Sequence, residues 1–271
     1  MDRARAVTDL VIPLFRNVPA ARSGVCRICH TGPNNKPNGE PYEICSSCAR
    51  TVNGFRRHAE PVVSISLAVE EGDDNGLFRL VARKEAVRAG TSWLSPETLM
   101  AASLSRFYDA HEACLIQVAG GPFTMVTTIP STRLDRPIEA FHIMPRVISM
   151  IGALRDHYKP VLLPNDRYAA VLAGRDSHPD AFQMMGMLNG SQALRGERVL
   201  LVDDLFVSGA HMQSAAYTLF KAGAEEVVAL AILRLIVPSA WHENRRSIWQ
   251  EASDQPFSFD RCCLCAAARR W

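Results

Sequence analysis

No apolar run in this 271-residue chain approaches the ~20 residues that a membrane-spanning helix needs. Its opening stretch, MDRARAVTDLVIPLF, lacks the long apolar core and small-residue cleavage site of a secretory signal. One-sided charge is missing too. The formal net charge is +2, so composition does not announce a nucleic-acid binder, although the first sixty residues carry nine Lys or Arg against five acids. The sequence contains no internal repeat or low-complexity tract. It also lacks the G-x-x-x-x-G-K-[ST] loop of P-loop ATPases, and its eight histidines show no H-x3-H metal spacing. These absences argue against membrane spanning, secretion and P-loop chemistry, and they make a cytoplasmic location the expectation.

In that compartment thiols stay reduced, so the eight cysteines point to metal rather than to disulfides. Residues 26–48 read CRICHTGPNNKPNGEPYEICSSC: a C-x2-C, fifteen residues, then a second C-x2-C. Each pair turns tightly and aims two sulfurs at one point. Two such turns supply the closed tetrahedral shell of a structural zinc, leaving no position open for chemistry. The expected ligands are Cys26, Cys29, Cys45 and Cys48. A redox pair is the rival reading, but it needs no second C-x2-C. The intervening GPNNKPNGEP is turn-forming and could not build a core without a staple.

The tail segment RCCLC holds another C-x2-C, Cys262 and Cys265, with Cys263 between them. One knuckle is half a site at most. It is either a thiol-rich tail without metal or a second zinc completed by a histidine such as His242. Cys114, in EACLIQV, reads as a buried residue.

From residue 60 onward short apolar runs alternate with amphipathic ones. This suggests an N-terminal four-cysteine zinc module over 1–59 and an α/β domain over 60–271. PVVSISLAV (61–69) alternates like a strand, and FTMVTTIP (123–130) reads as a strand ended by proline. SPETLMAASLSRFYDAH (95–111) opens with a helix-capping Ser-Pro-Glu. AFHIMPRVISMIGALRDHY is partly helical around Pro145. AAVLAG (169–174) reads as a short buried strand. VLLV (199–202), a helix near 210–222 ended by Gly223, and EEVVALAILRLIV (225–237) complete a mainly parallel sheet covered on both faces.

Within this pattern VLLVDDLFVSGAH places two adjacent acids, Asp203 and Asp204, where a parallel strand ends, the usual ligand edge of an α/β sheet. Ser208, Gly209 and Ala210 then let backbone amides crowd at a helix start, which is an anion site. A sugar phosphate satisfies both features. Its phosphate enters the amide cradle while its hydroxyls donate to the carboxylates, and magnesium offsets remaining charge. A receiver domain shares the acid pair but needs over a hundred further residues, and only 67 follow Asp204. A solvated turn whose acids cap the next helix is the bland alternative, yet a cap needs one acid adjacent to the helix.

VLLVDDLFVSGAH resembles the 5-phosphoribosyl-1-pyrophosphate (PRPP) signature of type I phosphoribosyltransferases: an apolar strand, two acids, three mostly apolar residues, then Thr-Gly-x-Thr. With a cysteine-rich module in front, the chain is similar to the ComF family, which joins a small zinc-binding region to a phosphoribosyltransferase fold. The match is best from TMVTTIPSTR to VALAILR and loose over 60–120.

The resemblance implies that Asp203 and Asp204 hold the ribose hydroxyls, and that Val207, Ser208, Gly209, Ala210 and His211 wrap the 5′-phosphate. It implies that Ser131, Thr132 and Arg133 of IPSTR receive the pyrophosphate and that Arg175 reaches it. Where the family has Thr in the phosphate loop this chain has Ser208, which keeps the hydroxyl, and His211, which removes one. The family's Lys-Tyr motif is not evident, and Lys84 is the nearest candidate. DRPIEAFHI lacks the glycine and asparagine of the family's arginine-glycine-phenylalanine-asparagine element. These departures touch turnover more than PRPP binding.

The reaction implied is displacement at C1 of the ribose with release of magnesium pyrophosphate, the acceptor being an unknown base or amine. The alternative is a non-catalytic ComF-like protein that senses PRPP, or that helps in DNA uptake with single-stranded DNA or a protein partner on the zinc module. WHENRRSIW (241–249) offers aromatics and arginines to nucleic acid, or a solvated helix face.

Overall fold

A computed structural model of the chain describes residues 2–89, 92–131, 143–173, 176–186, 192–239 and 242–265. Four strands, β1 (Val62–Ala68), β2 (Met125–Thr128), β3 (Arg198–Phe206) and β4 (Glu226–Leu235), pair in the order β1-β4-β3-β2, all parallel. Every residue of β1 and β2, and all of β4 after Glu226, is buried, as expected of parallel strands with both faces covered. The apparent alternation of PVVSISLAV is therefore not a wet face. Ser64 and Ser66 lie inside, and Ser66 Oγ accepts from the Arg16 amide at 2.8 Å and donates to its carbonyl at 3.1 Å.

Successive strand residues feed two apolar layers. Leu200 and Val202 of β3 join Val63, Ile65 and Leu230 on one face, packed beneath the long helix α3 (Pro96–Ala119). Val199 and Leu201 join Val62, Val227 and Ala229 on the other, beneath α5 (Ala210–Lys221). The four front cysteines belong to this second layer, so the two C-x2-C turns pack directly on the sheet. Helix α1 (Asp2–Asp9) lies on α3, tied by Arg106 to Thr8 at 2.7 Å and to Asp9 at 2.5 Å.

Local chemistry sets the helix ends. Ser95 caps α3, its Oγ accepting from the Thr98 amide at 3.2 Å, with Pro96 in the first turn and Gly120 closing the helix at φ +69°. Helix α2 is Ser46–Val52. Pro145 sits in the first turn of α4 (Ile143–Ser149), where its missing N–H breaks no helical bond. One expectation fails: Ala169–Ala173 is a helix, not a strand. Three alanines favour the helix, and a five-residue apolar run cannot separate the two states by period.

WHENRRSIW falls mostly on α6 (Glu243–Asp254), which buries Ile248 and Ala252 and exposes much of the rest. No described helix is long and apolar enough to cross a membrane.

Candidate functional site

The strand carrying the acid pair runs farther than VLLV. Asp203, Leu205 and Phe206 still pair in register with Ala231, Leu233 and Arg234 of β4, so both acids lie inside the carboxyl end of β3 rather than beyond it. Alternation then points them apart. Asp203 lines a cavity of about 190 Å³ shared with residues 205–212. Asp204 turns to Lys84, whose ammonium sits on its carboxylate and also donates to the Val81 carbonyl at 2.6 Å. Lys84 holds a left-handed backbone, φ +58°, unusual for a side-chain-bearing residue.

The two carboxylates are consequently unlike. Burial, then the neighbouring Asp204 charge, pushes the Asp203 carboxyl well above the ordinary carboxylate range, against the amide of Asp204, which donates to Asp203 Oδ1 at 3.0 Å.

Beyond β3 the loop turns on Gly209, which caps α5 at φ +92°. A Cβ there would lie 2.7 Å from Phe206 Cζ, so both the dihedral and the close approach require glycine. Ser208 Oγ accepts from the Ala210 amide at 3.3 Å. His211 lines the same cavity and meets Phe182 edge-on at 6.4 Å. The cavity thus joins a hydroxyl and a helix N-terminus to a carboxylate. This pairing suits a ligand that is anionic at one end and rich in hydroxyl donors at the other.

The loop after β2 reaches this edge as well. The Ile129 amide donates to the Val202 carbonyl at 3.3 Å, beside Asp203, and Ser131 follows two residues on. Thr132, Arg133 and Arg175 lie outside the described residues.

Directly behind the loop lies the front cysteine cluster. One sulfur each from Cys26, Cys29, Cys45 and Cys48 lies within 4.8 Å of the others, and Cys29 and Cys45 Sγ are 3.7 Å apart. A tetrahedral shell with Zn–S bonds of about 2.3 Å needs roughly this spacing. Backbone amides of Cys45 and Cys48 donate to Cys26 and Cys45 Sγ at 3.3 and 3.4 Å. Burial alone would push the Cys29 thiol up. Hydrogen bonds from Cys26, Cys45 and Cys48, with the Arg234 charge, hold it well below the usual thiol range.

Sequence reasoning alone does not single out Arg234. Only 4% exposed, it donates to Cys29 Sγ and Thr31 Oγ1, both at 3.4 Å, and to the carbonyls of Phe206 (3.0 Å), Val207 and Leu235 (2.9 Å). Burial pulls its pKa down, but the neighbouring sulfurs of Cys29, Cys48 and Cys45 outweigh that and raise it above the usual guanidinium range. One guanidinium therefore bridges the cysteine cluster and the loop after β3. Ser47 Oγ adds a second tie, donating to the Ser208 carbonyl at 3.0 Å. The signal that could have found it is a single arginine inside the apolar run EEVVALAILRLIV, which a buried strand tolerates only beside a counter-charge.

The tail cysteines are not joined by His242, whose Nδ1 lies 3.1 Å from Asn34 Oδ1. Cys262 and Cys265 meet His111 and Cys114 instead. Cys114 is correspondingly half-buried rather than a core residue. The chain is an α/β protein with a four-stranded parallel sheet and a cysteine cluster able to hold a metal. Compared with models of protein families it matches none, and no curated protein matches it.

Proposed function

We propose that this chain is a ComF-like, type I phosphoribosyltransferase-type protein that binds PRPP at the carboxyl edge of β3. The observation that carries this reading is the single cavity shared by Asp203 and the 205–212 loop, with a carboxylate at one side and the start of α5 at the other. The 5′-phosphate takes the Ser208–Gly209 turn and the first amides of α5, and the ribose hydroxyls donate to Asp203. Lys84 keeps Asp204 in place as a positioning residue. Pyrophosphate would extend towards Ser131.

Zinc fits the four front cysteines by donor chemistry and spacing, as a structural ion. Magnesium has no comparable protein-built site among the described residues at this edge. Among the described residues the groups able to hold a cation are cysteine-rich, and Asp204 is already neutralised by lysine. Magnesium therefore enters only as the counter-ion that pyrophosphate carries.

Transfer to a base or amine breaks the C1–O bond of the ribose, with pyrophosphate leaving. This chain's own residues contribute orientation: they hold the phosphate and fix the ribose ring while charge departs. A PRPP sensor without turnover is the second reading, and the Lys84–Asp204 pairing favours it, because one of the two acids is engaged before ligand arrives.

The test is calorimetric titration of PRPP with magnesium into the wild type and into the Asp203→Asn/Asp204→Asn double variant. Heat in the wild type that the variant loses is expected. Absence of binding by the folded wild type would sink the reading. Pyrophosphate release with a panel of bases and amines then separates transferase from sensor.

A further inference from the structure

We propose that His111, Cys114, Cys262 and Cys265 form a second zinc site, built from three thiolates and one imidazole, which clamps the C-terminal tail onto α3. One ligand atom from each of the four lies within 4.8 Å of the others, and Cys262 and Cys265 Sγ are 3.5 Å apart. These spacings match a tetrahedral shell with Zn–S of about 2.3 Å and Zn–N of about 2.0 Å. His111 and Cys114 stand three residues apart on α3 and so share one helix face. Cys262 and Cys265 form the knuckle. Their amides donate reciprocally, Cys262 N to Cys265 Sγ at 3.2 Å and Cys265 N to Cys262 Sγ at 3.3 Å, which disposes both sulfurs towards the thiolate.

The histidine is also prepared. His111, 3% exposed, has Nε2 2.8 Å from the Phe259 carbonyl. A carbonyl only accepts, so Nε2 carries the proton and Nδ1 keeps its lone pair for the metal. A backbone acceptor on the far ring nitrogen is the usual means of fixing a zinc-bound imidazole. Binding exchanges three thiol protons, released to solvent, for one Zn²⁺ held by three thiolates and a neutral imidazole.

The clamp has a definite structural effect. Phe259 packs against Phe15 and Phe257 with ring centroids 5.4 and 4.9 Å away, and Arg106 of α3 lies 4.5 Å over its ring. Cys263, fully buried between the two knuckle cysteines, belongs to the apolar layer under α3. The tail thus caps the α3 face of the sheet, while the front cysteines belong to the opposite layer. Seven of the eight cysteines are then metal ligands, leaving Cys263 as packing. This inference does not rest on PRPP binding, and neither does its test.

Zinc per chain is counted by elemental analysis on the intact protein purified with its metal, and its shell is read by X-ray absorption. The expected result is two zinc ions per chain, with an average shell of about 3.5 sulfur and 0.5 nitrogen ligands. In the Cys262→Ser/Cys265→Ser variant the count should fall to one and the shell should become all sulfur. One zinc per wild-type chain with an all-sulfur shell would overturn the site. So would an unchanged count in the folded variant, or a Cys262–Cys265 disulfide in the denatured wild type. Should the variant not fold, the wild-type count and shell decide.

Discussion

Asp203 is a carboxyl where the fold disfavours a charge. Burial and Asp204 raise its pKa above the unfolded value of about 3.9, so folding favours the protonated form. A raised folded pKa contributes stability that is fully present below about pH 4 and is lost as pH climbs through the folded value. At neutral pH the residue is therefore a net cost to stability. Asp203→Asn keeps an oxygen for the Asp204 amide and removes the charge. It should stabilise the protein at pH 7, with the gain vanishing near pH 4. The same substitution should abolish PRPP heat. Scanning calorimetry at the two pH values checks the sign, and destabilisation at pH 7 would contradict the account. Gly209→Ala works in the opposite direction. Its left-handed backbone and the contact with Phe206 should together cost at least about 1–2 kcal/mol, measured as a lower urea midpoint. Both positions were legible in VLLVDDLFVSGAH. The unlike fates of the two acids were not, because they depend on Lys84, 120 residues away.

At the scale of elements, the long regular pieces were readable because their signals are local: the Ser-Pro-Glu cap of α3, the glycine after α5, the apolar runs of β3 and β4. The failures share one cause. AAVLAG is too short to carry a period, and the true end of β3 is set by its ladder to β4, not by where its apolar residues stop. That longer ladder matters, because it places Phe206 opposite Arg234 and lets the guanidinium hold the carbonyls at the start of the loop after β3. Arg234→Met would leave those carbonyls unpaired and the thiolate cluster without its buried cation. Removing one partner of such a pair costs about 3–5 kcal/mol, so a large drop in urea midpoint is expected. Zinc loss from the front cysteines to a chelator should also accelerate. A variant as stable as the wild type would show that the bridge is incidental.

For the molecule as a whole, the cysteines form two clusters, one in each apolar layer of the sheet. The front group could be read from spacing because its ligands lie within one segment. The tail group could not, since 148 residues separate His111 from Phe259, and only the H-x2-C at helical spacing in HEAC hinted at it. The two clusters differ in access. All four front cysteines are buried, whereas Cys114 and Cys265 are half-buried. A chelator opening the protein from its more accessible side should therefore release zinc in two phases. The first equivalent should come from the tail, lowering thermal stability while PRPP heat persists, because neither α3 nor the tail lines the cavity after β3. The second should come from the front cluster and take the PRPP heat with it, through Arg234 and Ser47. Following zinc release with a metal-sensitive dye, with calorimetric titration at each stage, separates the two. Loss of PRPP binding in the first phase would mean that the two layers are coupled through the sheet rather than independent.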